Sequence, residues 1–434
     1  MGGSTMKQRY DSYKPSGIDW IGDIPSHWKV VPIKQICRSE KYAIKTGPFG
    51  SQLKGEDLKE TGDIRVYNQR NVIDNNFSEV SSFVTSEKAK DLDSFYTLPN
   101  DLLVTSRGTI GKSAILPKSV EMGILHPCLI ALRIDYRKAN LKWVQRWINE
   151  SDAFRIEIAS KSNATTIDVI YTETLKNIRL ALPPLAEQEA IAAWLDTRCG
   201  EIDAAISKVD REIELIDELK QSEISRVVTS GLNPDAPLRS SGIDWIGDIP
   251  SHWKIVRLAH IFNAKAGGDA KPELYSDTKD AQHPFPVFTN SLLEKQVYAY
   301  TSSPTFQSGF ITVTGRGEIG HAFLRNTDFD AIIRLLVLTP KIGLCCKYFT
   351  YFIDGVMEFF SDSAAVSQLS AQQINKELLI IPPLSEQQAI ADYLDKKCAE
   401  IDGLKAKLTK KRETLTELRH SIISEVVTGK RKVI

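Results

Sequence analysis

Net charge is missing from this chain. Its 434 residues carry 55 Lys and Arg against 55 Asp and Glu. A neutral balance excludes the sequence-blind binding to polyanions that a strongly basic chain shows. Long apolar runs are missing too, since none reaches the roughly 20 residues of a membrane-spanning helix. Met1 to Tyr10 is polar and lacks the apolar core of a secretory leader. The six cysteines form no CxxC pair and have no histidine cluster beside them. That excludes a disulfide scaffold and the common zinc frameworks. The expected protein is cytoplasmic, with reduced thiols, no membrane segment and no metal.

Catalytic patterns are equally scarce. The seven histidines are scattered, and there is no HExxH and no acidic-plus-lysine nuclease pattern. Pro183-Pro184 and Pro382-Pro383 are flanked by Leu and Ile, not by the Asx and aromatic residues of an amino-methylation motif. Ser106 to Ser113, SRGTIGKS, falls one residue short of a phosphate-binding loop, which needs Gly where Ser106 stands. A second copy of the stretch has Gly315 in place but His321 where the lysine belongs. Neither copy is complete, and a strand, a glycine turn and a second strand is the simpler reading. Without acid, base, nucleophile or ligand set, a non-catalytic protein with no cofactor of its own is expected.

What the chain has is repetition. Leu182-Pro183-Pro184-Leu185 returns as Ile381-Pro382-Pro383-Leu384, followed in both copies by Glu-Gln, Ala-Ile-Ala, Leu-Asp, Cys, Glu-Ile-Asp and Val-Val-Thr at matching intervals. Leu195, Cys199, Ile202, Ile206, Val209, Ile213 and Ile216 alternate spacings of four and three, which is a heptad seam. The prolines sit just before the first turn, Glu187 and Glu189 lie at the positive end of the dipole, and Gly231 ends the run. A helix from Leu185 to Ser230 is roughly 70 Å long at about 1.5 Å per residue, the length of a strut between domains. In the second copy Leu394, Cys398, Ile401, Leu408, Leu415 and Ile422 hold the seam, while Lys405 and Arg412 replace Ile206 and Ile213. Leu404 and Leu418 are available to carry the stripe instead. Residues 185–230 have 5 Lys and Arg against 11 Asp and Glu, a net of −6, and residues 384–434 have 11 against 8, a net of +3. An acidic and a basic helix with matching seams are expected to pair within the chain.

A second repeat opens each half. Ser16 to Lys29, SGIDWIGDIPSHWK, is identical over 14 residues to Ser241 to Lys254. Three Ile, two Trp and a Pro suggest an apolar clip lying on the surface of something else, with His27 and His252 packed beside Trp28 and Trp253. Between clip and helix lie two globules with a shared skeleton and little shared sequence. Each has an Asn turn, Val66 to Val72 and Val287 to Ser291, then a strand with a glycine turn, Asp101 to Gly111 and Gly309 to Gly320. Each then has a short helix, near Leu141 to Ser160 and near Lys347 to 360. The clip offset is 225 and the Pro-Pro offset 199, so the second globule is 26 residues shorter. Short β-branched runs broken by Gly, Asn and Pro read as mainly β. The expected fold class is α+β: two pseudo-repeated, mainly β domains with some helix, separated by two long coiled-coil helices. The expected divisions are an N-terminal clip (1–24), a first domain (25–182), a central helix (183–232), a linker with the second clip (233–249), a second domain (250–381) and a C-terminal helix (382–434).

The paired clips, the LPPLAEQ and IPPLSEQ helix starts, Gly47 to Asp57 (GPFGSQLKGED) and the TSRGTIGK turn together resemble the specificity subunit of type I restriction–modification systems. They span most of the chain. The resemblance implies two target-recognition domains, each reading one half of a split, asymmetric site in double-stranded DNA. It implies that the two long coiled-coil helices pack antiparallel as a spacer that fixes the gap, with two modification subunits docked on the helical regions and a restriction subunit that joins through them. Methyl donor and ATP would belong to those partners. It also implies that the N-terminal clip sits near the end of the C-terminal helix.

Base edges are read by Arg, Lys, Asn and Gln, and phosphates by these together with hydroxyls and loop N–H groups. In the first domain this selects Lys45 to Lys54, Asn68-Gln69-Arg70-Asn71, Arg107 to Lys112, and Lys161 to Thr166 with Asn163 and Thr165. In the second it selects Lys265 to Lys271, Thr289 to Ser291 with Asn290, Arg316 to His321, and Ser367 to Gln373 with Gln368. Arg107 and Arg316 occupy equivalent turns, which suits the fold or phosphates better than a sequence code. Residues 25–182 carry 23 Lys and Arg against 18 Asp and Glu, and residues 250–383 carry 12 against 12, so fewer phosphate contacts are expected in the second domain. Two rival readings are a stand-alone DNA-binding regulator, which would bind a specific site without partners, and an architectural coiled coil, which would ignore DNA.

Overall fold

The structure, a computed structural model, describes residues 9–160, 169–293, 296–332, 334–359 and 368–433. The chain forms two compact units, Met1–Lys208 with Lys411–Ile434, and Val209–Lys410. The long helices run Leu185–Ser230 and Leu384–Val427, so each starts in one unit and ends in the other.

In the first unit a four-stranded antiparallel sheet has the order Ile44–Thr46, Leu129–Leu132, Leu102–Thr105, Ser113–Ile115. Its two central strands are buried along their whole length, which is why they read LIAL and LLVT and not as an apolar–polar alternation. A smaller sheet joins Phe83–Val84, Ile64–Tyr67 and Ile124–Leu125, with Val66 beside Ile124 in a parallel pair. Helix Leu141–Glu150 buries Trp143, Val144, Trp147 and Ile148, one face of a 3.6-residue repeat.

The second unit repeats this plan. Its antiparallel sheet runs Phe262–Ala266, Leu336–Pro340, Ile311–Val313, Ala322–Leu324. Its smaller sheet runs Tyr275–Ser276, Ala299–Thr301, Phe285–Phe288, Asp330–Ala331, again ending on a parallel pair, Val287 beside Asp330. Helix Cys346–Val356 buries Tyr348, Phe349, Phe352 and Ile353, the same spacing as its counterpart. The pseudo-repeat read from the skeleton is therefore a repeat of strand order in the larger sheet and of the parallel pair in the smaller one, which has one strand more in the second unit.

The long helices pair antiparallel. Ascending the first helix, Asp203, Asp217, Lys220 and Glu223 meet Arg419, Lys405, Asp402 and Tyr393 at 2.7–2.8 Å. Leu195, Cys199, Ile202 and Val209 are buried, as are Leu394, Cys398, Ile401 and Ile422, while Ile206, Ile213, Ile216, Leu408 and Leu415 are half-buried. Leu404 and Leu418 are not the stripe: they are 50% and 46% exposed. Lys405 holds its place on the seam edge by reaching Asp217, so the heptad keeps its register past a charged residue. Both partners of that pair are about half exposed, so it contributes no more than about 1 kcal/mol. Lys405→Glu is expected to lower stability by that amount in urea unfolding, and adding Asp217→Lys to restore it. Failure of the double variant to recover would show that the pair is not coupled.

The clips are not surface pieces. Ile18, Ile21, Ile24 and Trp28 belong to the core of the first unit, and Ile246, Ile249 and Trp253 to that of the second. The reason is a joint built from the first turn of each long helix. Glu187 accepts from Trp28 Nε1 at 3.1 Å and lies 2.7 Å from His27 Nε2. Glu386 accepts from Trp253 Nε1 at 3.0 Å and lies 2.7 Å from His252 Nε2. The histidines are thus polar partners of a carboxylate, and His252 also packs edge-on beside Trp253 as expected, with ring centres 6.4 Å apart. The end of the opposite helix closes each joint. A Cβ on Gly429 would stand 2.4 Å from Pro25, and one on Gly231 would stand 3.1 Å from Trp253. Both glycines have φ near +75°, the left-handed stop of a helix C-terminus. The N-terminal clip therefore does lie at the end of the C-terminal helix.

Candidate nucleic-acid interface

The glycine turns are the best-matched part of the two domains. Thr105 N–H donates to the carbonyl of Lys112 at 2.8 Å, and Thr314 N–H to that of His321 at 2.9 Å. Gly111 N–H returns to the Thr105 carbonyl and Gly320 N–H to that of Thr314, both at 2.9 Å. The Thr105 and Thr314 hydroxyls accept from the Lys112 and His321 amides. A strand follows each turn, Ser113–Ile115 and Ala322–Leu324, where a phosphate-binding loop would be followed by a helix. Arg107 and Arg316 project from equivalent positions and both are exposed. Each bridges antiparallel to a later segment, Arg107 to Val169 and Arg316 to Gln368.

The second expected loop of the first domain is a short helix, Gln69–Ile73. Asn68 caps it, accepting from the amides of Arg70 and Asn71, while Asn71 Oδ1 accepts from the Asn68 amide. Asn71 is buried, and its side-chain amide donates to the carbonyls of Asn76 and Glu79 at 2.9 and 2.7 Å. This reciprocal capping box occupies both asparagines. Gln69 and Arg70 are left as the outward pair. Gln69 lies against the glycine turn, its Nε2 3.3 Å from where a Cβ on Gly108 would be. Arg70 is exposed and its Nε donates to Asp74 at 3.2 Å. The second domain makes the same junction with Asn290, whose Oδ1 accepts from Gly315 N–H at 2.7 Å.

The remaining residues are more dispersed. Lys45 lies in strand Ile44–Thr46, with its ammonium 4.3 Å from the Tyr42 ring centre and 3.9 Å from that of Phe95, donating to the Ser94 carbonyl. Burial there, reinforced by Arg133, pulls its pKa down to about 8. Lys54 is exposed beside Glu56 at 3.3 Å, and Lys112 is exposed on the turn. Lys265 is exposed on strand Phe262–Ala266, Lys271 is exposed, and Gln368 is half-buried. His321 sits 3.2 Å from Asp354 through Nδ1. Lys161, Asn163 and Thr165 lie outside the described residues. All six cysteines are thiols, four of them buried. Among the described residues no helix is long and apolar enough to cross a membrane.

Two β-rich units with equivalent, outward arginine turns, carried on paired helices, are the setting for the comparison with known proteins. The profile of the family described as type I restriction modification DNA specificity domain matches residues 25–215 and again residues 250–411. The chain belongs to this family. A relative described as a putative type I restriction enzyme MjaX specificity subunit, from Methanocaldococcus jannaschii, is 23% identical over 95% of this chain and 96% of its own. The solved structure titled as the basis of complex assembly and conformational transition of the type I R-M system superposes with a TM-score of 0.71 at 17% identity, covering 93% of this chain and 98% of that one. The HsdS subunit from Thermoanaerobacter tengcongensis gives 0.53 at 17% identity, covering 94% and 98%. At these identities the likeness is one of fold.

In this specificity-domain chain, the residues that reasoning from the sequence passed over are the Glu-Gln pairs after Pro-Pro. Glu187 read as a dipole partner and Glu386 as its repeat, yet both seat the clips. Gln188 Oε1 accepts from the Asn140 amide at 2.8 Å, and Gln387 Oε1 accepts from the Cys345 amide at 3.0 Å. Their Nε2 atoms donate to the Pro183 and Pro382 carbonyls at 2.8 Å. Each Glu-Gln pair thus fastens a clip and a domain helix to one helix start. The signal was the exact return of the dipeptide in both copies.

Proposed function

We propose that this chain is the non-catalytic DNA-specificity subunit of a type I restriction–modification complex, acting in the cytoplasm. Each target-recognition domain, 25–182 and 250–381, reads one half of a split, asymmetric site in double-stranded DNA. The helices, 183–232 and 382–434, set the gap and dock two modification subunits, with a restriction subunit joining through them. The clips, 1–24 and 233–249, close the joints. Methyl donor and ATP are bound by the partners.

One observation carries the reading. Both domains hold an arginine on the same hydrogen-bonded turn, Arg107 and Arg316, but surround it with different readers. These are Gln69, Arg70 and Lys112 in one and Asn290 and His321 in the other. Groups common to both domains suit the phosphate backbone, which is alike in every sequence. Groups that differ suit bases. Asn68 and Asn71 hold the reading helix in place, and Lys54, Lys265, Lys271 and Gln368 serve as further contacts, together with Lys161, Asn163 and Thr165, which lie outside the described residues. Lys45, drawn onto aromatic rings, stands nearest to a structural role.

Co-expression with a modification subunit, followed by mapping of methylated bases across the host genome, is the test. The expected result is a split motif of two short half-sites around a fixed gap. Exchange of residues 25–182 for another domain of the family changes one half-site and leaves the other. Specific binding by the chain alone, with no methylation, would favour a stand-alone regulator.

A further inference from the structure

The joint that seats each clip is built twice, and the two copies are not filled alike. In the first unit the Tyr10 ring lies among Tyr13, His27 and Trp28, with ring centres 6.2, 5.7 and 6.0 Å away. Its hydroxyl donates to Glu187 Oε1 at 2.6 Å, giving that carboxylate a third partner besides His27 and Trp28. Burial and the adjacent Glu187 push the phenol pKa far up, so it stays a donor. The Glu187 side chain is only 9% exposed.

The second unit lacks this ring. Strand register sets the correspondence, since Tyr13 pairs with Pro25 and Leu238 with Pro250. Three residues before each stand Tyr10 and Asp235, and Asp235 is exposed. Among the described residues Glu386 accepts only from His252 and Trp253, and its side chain stays 40% exposed. Beside it opens a cavity of about 230 Å³, with Leu232, Ala236, Pro250, Ala389 and Ile390 in its walls and Glu386 at its edge.

Apolar walls beside one carboxylate acceptor complement a flat ring with a hydroxyl at its tip. A phenylalanine would cover the carboxylate without adding the third donor that Tyr10 gives Glu187. We propose that this cavity is a socket for a tyrosine side chain presented by a modification subunit, seated as Tyr10 is seated in the first unit, with its hydroxyl donating to Glu386. The partner assignment rests on the assembly proposed above.

The probe is p-cresol, the tyrosine side chain as a free molecule, titrated into the full chain and followed by ligand-observed NMR. Toluene, which lacks the hydroxyl, is expected to bind about tenfold more weakly, the order of a hydrogen bond to a charged group. Asp235→Tyr supplies the ring from the chain itself, and Ala389→Phe fills the space from an exposed helix position. Both are expected to abolish p-cresol binding. In co-expression with the modification subunit, both are also expected to weaken assembly about tenfold or more, the value of a well-packed aromatic anchor. Absence of p-cresol binding to the parent chain, or equal binding to the two filled variants, overturns the socket. If the parent assembles and both filled variants assemble as tightly, the proposed occupant is wrong. If the parent does not assemble at all, the subunit reading fails with it, whatever p-cresol shows.

Discussion

Trp28→Ala and Trp253→Ala are each expected to remove about 3–5 kcal/mol from the unit that holds the clip, the usual loss for a fully buried tryptophan. Trp28 is 0% and Trp253 1% exposed. Each indole donates to the carboxylate that starts a long helix, Glu187 or Glu386, and packs against the glycine that stops the other. The truncation opens a cavity and removes a donor from a partly desolvated carboxylate. Trp245→Ala supplies the control, because Trp245 lies in the same clip as Trp253 but is 41% exposed. Its loss is expected to stay within about 1 kcal/mol. Urea unfolding followed by circular dichroism separates them. Equal shifts for Trp245 and Trp253 would mean that the clip is not anchored through its indole.

The second large effect concerns recognition. In the assembled complex, Arg70→Ala is expected to cost about 1–3 kcal/mol on the matching half-site and to relax its sequence preference, the range for one bidentate base contact. Arg107→Ala is expected to weaken all duplexes alike and to lower the slope of log K against log salt by about 1, as a lost phosphate contact does. The distinction follows from the repeat. Arg107 has a counterpart at Arg316 on an identical turn, whereas Arg70 stands on a helix, Gln69–Ile73, outside that shared frame. Binding to duplexes with the correct and the scrambled half-site, at several salt concentrations, measures both. A uniform loss from Arg70→Ala would move it to the backbone class.

Helix limits were legible because separate signals mark the start, the span and the stop. Pro183-Pro184, the heptad from Leu195 to Ile216, and Gly231 predict a helix from Leu185 to Ser230, and the helix runs between those residues. Pairing within the chain was legible from opposite net charges, and its antiparallel direction only from the family resemblance, although Leu404 and Leu418 looked equally able to carry the seam until their exposure set them outside it. The joints were not legible. His27 meets Glu187 across 160 positions, a distance over which periodicity says nothing. The candidate site was half legible: Asn68 to Asn71 stood out by residue type, but type does not tell an outward group from a cap. The capping box consumes both asparagines, and only hydrogen-bond geometry reveals it. The surroundings of Lys45 were hidden in the same way, since a lysine that reaches Tyr42 and Phe95 looks no different in sequence from one that reaches solvent.

The two clips are identical over 14 residues, and the groups that receive them, a glutamate on a first turn and a glycine at a helix stop, are the same in kind. Molecular recognition at the interface therefore cannot distinguish one clip from the other. What assigns each to its seat is tethering. The first clip runs straight into Lys29–Pro32, which pairs with Arg179–Leu182, and the second into Lys254–Arg257, which pairs with Leu378–Ile381. A short tether raises the local concentration of the right clip far above that of its twin, so during folding the order of the polypeptide, not the chemistry of the segment, decides which half is completed by which.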